Sequence, residues 1–311
     1  MKSSSDKTKT NYNNAGTDNS PGGGRKTVRL IIEGIVQGVG FRPFLHRLAD
    51  RHSVSGWVRN TSSGLEGVLK GTPTSLEDFL SEIKTSPPPM ASVEAVRTEA
   101  IPEDPGSADF SGFKILESRT DAGATLISPD IAMCPECEAE LYTKTDRRYR
   151  YPFINCTNCG PRYTIIESLP YDRNRTVMNE FRMCEDCSHE YHDIRDRRYH
   201  AQPDCCPECG PQVFCLEQNR LAKEGEEALH SSQKLLAGGG ILAVKGIGGI
   251  HLACSALDAD AVRRLRERKH RAEKPLALMC RSLDAARRIC RITPEEEQLL
   301  TSPARPIVLL A

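Results

Sequence analysis

The sequence predicts an α+β, multi-domain chain with a βαββαβ sandwich first, a duplicated four-cysteine module next and an α/β segment last. Three observations carry that reading. Through residues 27–117 the apolar period switches between 2 and 3.6 in strand–helix–strand–strand–helix–strand order. Four CxxC pairs follow, in two sets offset by 50 positions. From about residue 226, short apolar runs alternate with helical stretches and glycine stops. The 311 residues carry 42 basic and 42 acidic side chains, which argues against a globally basic nucleic-acid binder. Only 38% are hydrophobic and 5% aromatic, too few for one large core. No apolar run approaches the ~20 residues of a membrane span. The start MKSSSDKTKT lacks the apolar core of a secretory signal, so a soluble cytoplasmic protein is expected.

Residues 1–25 are polar and glycine-rich and are expected to be disordered. Residues 26–118 are expected to form the first domain. Val28, Leu30 and Ile32 alternate as a strand before the glycine-rich run Gly34–Gly40, and Pro43 sits where a helix opens. Phe44, Leu45, Leu48 and Ala49 share one side of that helix. Residues 54–60 and 65–70 read as a hairpin around Asn60–Gly64. Leu76, Phe79, Leu80 and Ile83 fall at i, i+3, i+4 and i+7 of a second helix, which Pro87–Pro89 ends. Strands near 92–100 and 110–117 complete a ferredoxin-like order.

Residues 130–215 are expected to be the tandem module. Cys134, Cys137, Cys156 and Cys159 recur as Cys184, Cys187, Cys206 and Cys209, each set spaced C-x2-C-x18-C-x2-C. Asp146–Tyr149 (DRRY) recurs as Asp196–Tyr199, and Gly160-Pro161 as Gly210-Pro211. An odd total of 13 cysteines without a signal peptide fits metal ligation better than disulfides. Two CxxC knuckles supply four thiolates, the donor set of a closed structural Zn2+ site, with iron as the rival. The spacing leaves open whether knuckles pair within or between repeats. Cys205, Cys215, Cys254, Cys280 and Cys290 show no ligand spacing.

From residue 226 to 311 a helix ends at Gly238–Gly240, and a strand Ile241–Val244 leads into Lys245–Gly249. A basic helix 260–269, a strand Pro275–Met279 and a helix 282–290 follow. Thr293, Pro294 and Glu296 have the pattern of an N-cap, an N1 proline and a capping-box glutamate. Pro306–Ala311 reads as the start of another strand.

The run Gly34–Arg42 (GIVQGVGFR) can aim backbone N–H groups at one point beside a helix N-terminus, a geometry suited to phosphate, with Arg42 as a bidentate clamp. Together with Gly56–Asn60 and Gly64, this run resembles both signatures of the acylphosphatase family. That resemblance implies Gln37, Gly38, Val39, Gly40 and Phe41 as the phosphate cradle, Arg42 as the anion clamp and Asn60 as the residue that orients the attacking water. The segment after Asn60 is about a residue shorter than in small acylphosphatases, which puts the hairpin turn in question.

An acylphosphatase followed by tandem four-cysteine units resembles the N-terminal part of the HypF carbamoyltransferases that mature [NiFe] hydrogenases. Lys245–Cys254 and Leu265–Ala277 are similar to that family's YrdC-like domain. There the resemblance implies Lys269, Arg271, Lys274, Ser302 and Arg305 as nucleotide contacts. It further implies carbamoyl phosphate and ATP as substrates, two structural Zn2+ ions and HypE as the partner whose cysteine receives the carbamoyl group. Much of the YrdC-like domain and the transfer domain are missing from the sequence, so a partial product competent for the acylphosphatase step is expected. Two other readings remain: a stand-alone acylphosphatase with zinc modules, and a zinc-ribbon nucleic-acid binder using the DRRY clusters. Zero net charge and the acidic Glu136, Glu138, Glu140, Glu185 and Asp186 weigh against the second.

Overall fold

A computed structural model describes residues 24–102, 110–120, 123 and 126–311. The tail expected over 1–25 lies almost wholly outside the described residues, whereas the run expected as a strand over 110–117 is described and is strand only at Phe113–Ile115.

The first unit runs β1 (Lys26–Ile35), α1 (Phe41–His52), β2 (Ser55–Thr61), β3 (Gly64–Gly71), α2 (Pro73–Thr85), β4 (Ser92–Ala100) and β5 (Phe113–Ile115). Its sheet has the order β4-β1-β3-β2-β5. β1 lies antiparallel between β4 and β3, β2 is antiparallel to β3, and the short β5 adds parallel to β2. This is the ferredoxin-like arrangement with a fifth edge strand. Leu30 and Ile32 of β1, Leu65 and Leu69 of β3, Leu45 and Leu48 of α1, and Phe79 and Ile83 of α2 are buried together as its core. The period-2 strand and period-3.6 helices each turn one apolar face to that layer.

Helix α1 begins at Phe41, so Pro43 falls in its first turn, where a missing N–H costs nothing. The β2–β3 turn is only Ser62-Ser63, with Thr61 paired to Gly64, so Asn60 belongs to the strand rather than to the turn. Thr72 caps α2 through the Ser75 N–H. Buried Glu66 on β3 gathers Arg29 at 3.4 Å, Arg59 at 2.7 Å and Arg119 at 3.3 Å, tying β1, β2 and the segment after β5 together.

The cysteine module holds two equivalent short helices, α3 (Pro135–Tyr142) and α4 (Glu185–His192), each with a cysteine of the first knuckle as N-cap. The duplication reaches the backbone: Arg150 and His200, at equivalent positions, both adopt positive φ, at 57° and 55°.

The third segment holds the hairpin β6 (Phe214–Glu217)–β7 (Arg220–Glu224), α5 (Gly225–Ala237), the hairpin β8 (Leu242–Gly246)–β9 (Gly249–Ala253), α6 (Ala259–Arg268), α7 (Leu283–Arg287) and α8 (Pro294–Thr301). The Thr293/Glu296 capping box is formed on both sides. Four expectations are adjusted. Pro275–Met279 and Pro306–Ala311 are not strands, and Met279, Ile307 and Leu309 are exposed. The strand expected over Ile241–Val244 runs Leu242–Gly246 and turns straight back into Gly249–Ala253 as a tight hairpin, and the helix expected over 282–290 is shorter. An apolar run without a pairing neighbour has nowhere to place its backbone hydrogen bonds, so it stays irregular. No helix among the described residues is long and apolar enough to cross a membrane.

Candidate active site and cysteine centres

The cradle is the loop between β1 and α1. Gly38 and Gly40 take φ of +72° and +74°, conformations that side chains rarely adopt. They are also spaces filled from the cysteine module: a Cβ on Gly38 would stand 3.0 Å from the Arg162 side chain, and one on Gly40 2.8 Å from Thr157. Among the described residues, the N–H groups of Val39, Gly40, Phe41 and Arg42 have no acceptor, as expected of the open first turn of a helix. Buried Gln37 fixes the loop by donating to the Thr61 and Gly64 carbonyls at 2.8 and 2.9 Å, which locks it to the β2–β3 turn.

Arg42, 7% exposed, points back from α1 to Asn60 on β2, which is 1% exposed. With its amide oriented to satisfy both groups, the Asn60 oxygen accepts from Arg42 Nε at 3.3 Å and Nη2 at 3.2 Å. The loop residues Gly38, Gly40 and Phe41 and the Arg42 side chain line one small cavity of about 20 Å3, and Asn60 stands behind Arg42, paired with its guanidinium. Its other wall comes from the cysteine module: Thr157, Arg162, Tyr171, His200, Ala201 and Gln202. Sequence reasoning missed this half of the site, because nothing local in those residues marks them as neighbours of a loop more than a hundred positions earlier.

Arg162 is the strongest link between the two halves. Its side chain is buried, and all five guanidinium N–H donors have carbonyl partners. Nε donates to Gly38 O, Nη1 to Cys159 O (3.1 Å) and Pro161 O (2.8 Å), and Nη2 to Cys156 O (3.1 Å) and Thr157 O (2.9 Å). A second link is the segment at Tyr171-Asp172. Tyr171 N donates to Gln37 Oε1 at 2.9 Å, and Arg42 reaches Tyr171 O at 3.4 Å and the Asp172 carboxylate at 3.0 Å. Burial, with the Arg42 charge nearby, pushes the His200 imidazole down to about 3, so it stands neutral in the cavity wall.

The cysteines gather within each repeat, which settles the pairing. Cys134, Cys137, Cys156 and Cys159 form one group, and Cys184, Cys187, Cys206 and Cys209 the other. Sulfur–sulfur distances are 3.5–3.8 Å in the first group and 3.6–3.8 Å in the second. A tetrahedron with Zn–S bonds of about 2.3 Å has edges of about 3.8 Å, so each quartet fits one ion held by four thiolates. The knuckle glycines serve different needs. Gly160 has φ of +101°, whereas a Cβ on Gly210 would meet the Tyr151 hydroxyl at 2.2 Å. Cys205 stays outside the quartet, and burial pushes its thiol up to about 11.

The DRRY segments are turned inward. Arg147 Nη2 lies 3.3 and 3.5 Å from Cys184 and Cys187, and Arg197 Nη2 lies 2.6 and 3.7 Å from Cys137 and Cys134. Each repeat thus lends an arginine to the sulfurs of the other. Arg148 and Arg198 are almost fully buried and share Asp204 at 3.0 and 3.6 Å. Cations spent in this way are not a surface for nucleic acid.

The five expected nucleotide contacts are less assembled. Lys269 is the exposed C-cap of α6, Arg271 donates to Pro275 O at 2.9 Å, and Lys274 is exposed. Ser302 ends α8, and Arg305 follows on an exposed turn. Among the described residues no hydrogen bond or ion pair joins the two groups.

A ferredoxin-like unit with a glycine cradle, an arginine clamp and a strand-borne asparagine defines an acylphosphatase-class domain, here joined to a duplicated four-thiolate finger. Comparison with known proteins agrees for each part. The acylphosphatase family model matches residues 28–115, the HypF finger model residues 133–166 and 183–216, and the Sua5/YciO/YrdC model, described as telomere recombination, residues 234–311. The acylphosphatase of Bacillus licheniformis is 40% identical over 84 residues, 92% of that protein and 27% of this chain. The carbamoyltransferase HypF of Synechocystis sp. is 49% identical over 286 residues, 92% of this chain and 37% of that protein. A crystal structure of full-length HypF in a phosphate- and nucleotide-bound form superposes with a TM-score of 0.84 at 45% identity, over 92% of this chain and 37% of that one. The chain belongs to the HypF carbamoyltransferase family and spans a little over a third of the length of these relatives.

Proposed function

We propose that residues 26–118 form an acylphosphatase domain that hydrolyses carbamoyl phosphate to carbamate and inorganic phosphate. The observation that carries this is a cavity lined by Gly38, Gly40, Phe41 and Arg42, with the Asn60 carboxamide held against the Arg42 guanidinium. A carbonyl-linked phosphoryl group needs its equatorial oxygens neutralised and a water held in line with phosphorus. The amides and Arg42 supply the first, and Asn60, fixed by Arg42, positions the water without taking its proton. No group in the cavity has to change charge for this. His200 stays neutral over the working range.

In the whole protein this step would feed carbamoyl transfer for [NiFe] hydrogenase maturation. Carbamate and ATP would give carbamoyl adenylate and pyrophosphate on residues 226–311, with Lys269, Arg271, Lys274, Ser302 and Arg305 as the triphosphate contacts. A cysteine thiolate of HypE would then take the carbamoyl group and release AMP. Residues 130–215 would hold two structural Zn2+ ions, and their need for reduced thiolates supports a cytoplasmic protein.

Phosphate release from carbamoyl phosphate by the full chain tests the reading. Arg42→Ala should be nearly inactive, and Asn60→Ala should lose on the order of 10²-fold in turnover while keeping phosphate affinity. Equal rates for all three proteins would refute the assignment. Activity on acetyl phosphate without activity on carbamoyl phosphate would favour a general acylphosphatase.

A further inference from the structure

The clamp of the cradle is already engaged by an anion from the chain itself. Arg42 Nη1 lies 3.0 Å from the Asp172 carboxylate, and the cavity beside it, about 20 Å3, has room for roughly one water. A phosphoryl group cannot enter between them while this pair stands. We propose that Asp172 is an affinity-setting residue that competes with the phosphoryl group for Arg42 and thereby sets the phosphate affinity of the site. The inference rests on the cradle reading above and goes beyond it.

Three features separate this pair from an ordinary structural salt bridge. First, the segment carrying Asp172 is held by other bonds. Tyr171 N is bound to Gln37, the Arg173 N–H to Gln202 Oε1 at 2.7 Å, and the Arg173 guanidinium to the carbonyls of Gln202 (2.8 Å), Asp204 (2.7 Å) and Phe181 (2.7 Å). Arg175 adds Leu169 O at 2.7 Å and Thr120 Oγ1 at 2.8 Å. The carboxylate can therefore leave Arg42 without releasing its backbone.

Second, the two partners differ in access. The Asp172 side chain is 23% exposed and Arg42 only 8%, so the acid sits at the mouth and can return to water, while the base remains aimed at the cradle. Third, Asp172 comes from the stretch between the two finger matches and lies beyond the acylphosphatase match, so the free-standing phosphatase likeness does not contain it. The competing anion is an addition made by the cysteine module.

The chemical consequence falls on substrate and product alike. Inorganic phosphate, the product, binds the same amides and arginine as the substrate. A resident carboxylate weakens ground-state anion binding, and a dianionic phosphoryl group pays this cost on entry. Product is thereby kept from saturating the site.

Calorimetry with inorganic phosphate on the full chain is the test, using zinc content as the fold check. Asp172→Asn and Asp172→Ser should each tighten phosphate binding by about tenfold and lower KM for carbamoyl phosphate, without raising kcat. A purely structural role predicts the opposite sign, so unchanged or weaker phosphate binding in zinc-replete variants overturns the proposal. Should both variants lose zinc, a structure of the wild type with phosphate decides: phosphate in the cradle with the Asp172–Arg42 pair intact overturns it, and a displaced carboxylate supports it. Wild-type phosphate binding that Arg42→Ala leaves untouched, or no phosphate binding in any of these proteins, would refute the cradle reading itself and the proposal with it.

Discussion

Removing the Arg162 side chain should damage the phosphate cradle from a distance. In Arg162→Ala, five carbonyls, those of Gly38, Cys156, Thr157, Cys159 and Pro161, lose this donor at once, and among the described residues only those of Cys156 and Cys159 keep another, each other's N–H. A hydrogen bond to a charged donor is worth about 1.5–3 kcal/mol, but the five share one group and water will enter the space left. The sum is therefore far from additive, and a loss of about 3–5 kcal/mol is expected. For a unit of 150–250 residues that corresponds to a fall in Tm of roughly 6–20 °C. Arg162→Lys should recover little, since three donors on one nitrogen cannot reproduce a planar fork. Because one of the five partners is Gly38 of the cradle, phosphate affinity should fall together with stability. Scanning calorimetry and phosphate titration of the same samples are the assays. A Tm within 2 °C of wild type with unaltered phosphate affinity would show that the two halves are not coupled through this residue.

Zinc removal by a strong chelator should lower phosphate affinity as well as unfold residues 130–215, since the knuckle carbonyls hold Arg162; a chelated protein that binds phosphate normally would contradict this. Arg197→Ala should weaken metal binding at Cys134, Cys137, Cys156 and Cys159 by about 10–100-fold and leave the other quartet nearly unchanged, as read by chelator competition; a loss confined to the quartet of its own repeat would refute the exchange of arginines. Gly40→Ala should abolish phosphate binding, because the new Cβ would meet Thr157 at 2.8 Å on a backbone with φ of +74°. His200 is held near 3 in the folded chain against 6.5 unfolded, so between these values the unfolded state binds more protons and stability falls as pH drops. His200→Gln should flatten that part of the pH–stability curve, and an unchanged curve would argue against a buried neutral imidazole.

How far the sequence carries depends on whether the determining contacts are local. The strand at Val28–Ile32, the two amphipathic helices and the Thr293/Glu296 box are legible because their signals repeat within one or two turns of chain. The quartets are legible for the same reason: a CxxC knuckle presents two sulfurs from four residues. Pro275–Met279 and Pro306–Ala311 mislead because an apolar run is not a strand until another backbone accepts its hydrogen bonds. The DRRY arginines mislead in the opposite sense. Their composition reads as an exposed cationic cluster, yet each turns to sulfurs and carboxylates of the other repeat. Arg162, Tyr171 and Asp172 carry no signal at all, since their partners Gly38, Gln37 and Arg42 lie over a hundred positions away.

This non-local part changes what the duplication is for. A closed four-thiolate site is structural. Here the first copy supplies the knuckle carbonyls that Arg162 carries to Gly38, and the second supplies His200, Ala201 and Gln202 to the opposite wall. The segment between the copies, anchored on Gln202 and Asp204 of the second, lays Tyr171 and Asp172 across the clamp. The exchange of Arg147 and Arg197 keeps the copies in one register, so these three contributions reach the cradle together. Two copies and the bridge between them thus wall the cavity beside the Gly38–Arg42 loop together, and that cavity is built by the joined units rather than by the ferredoxin-like fold alone.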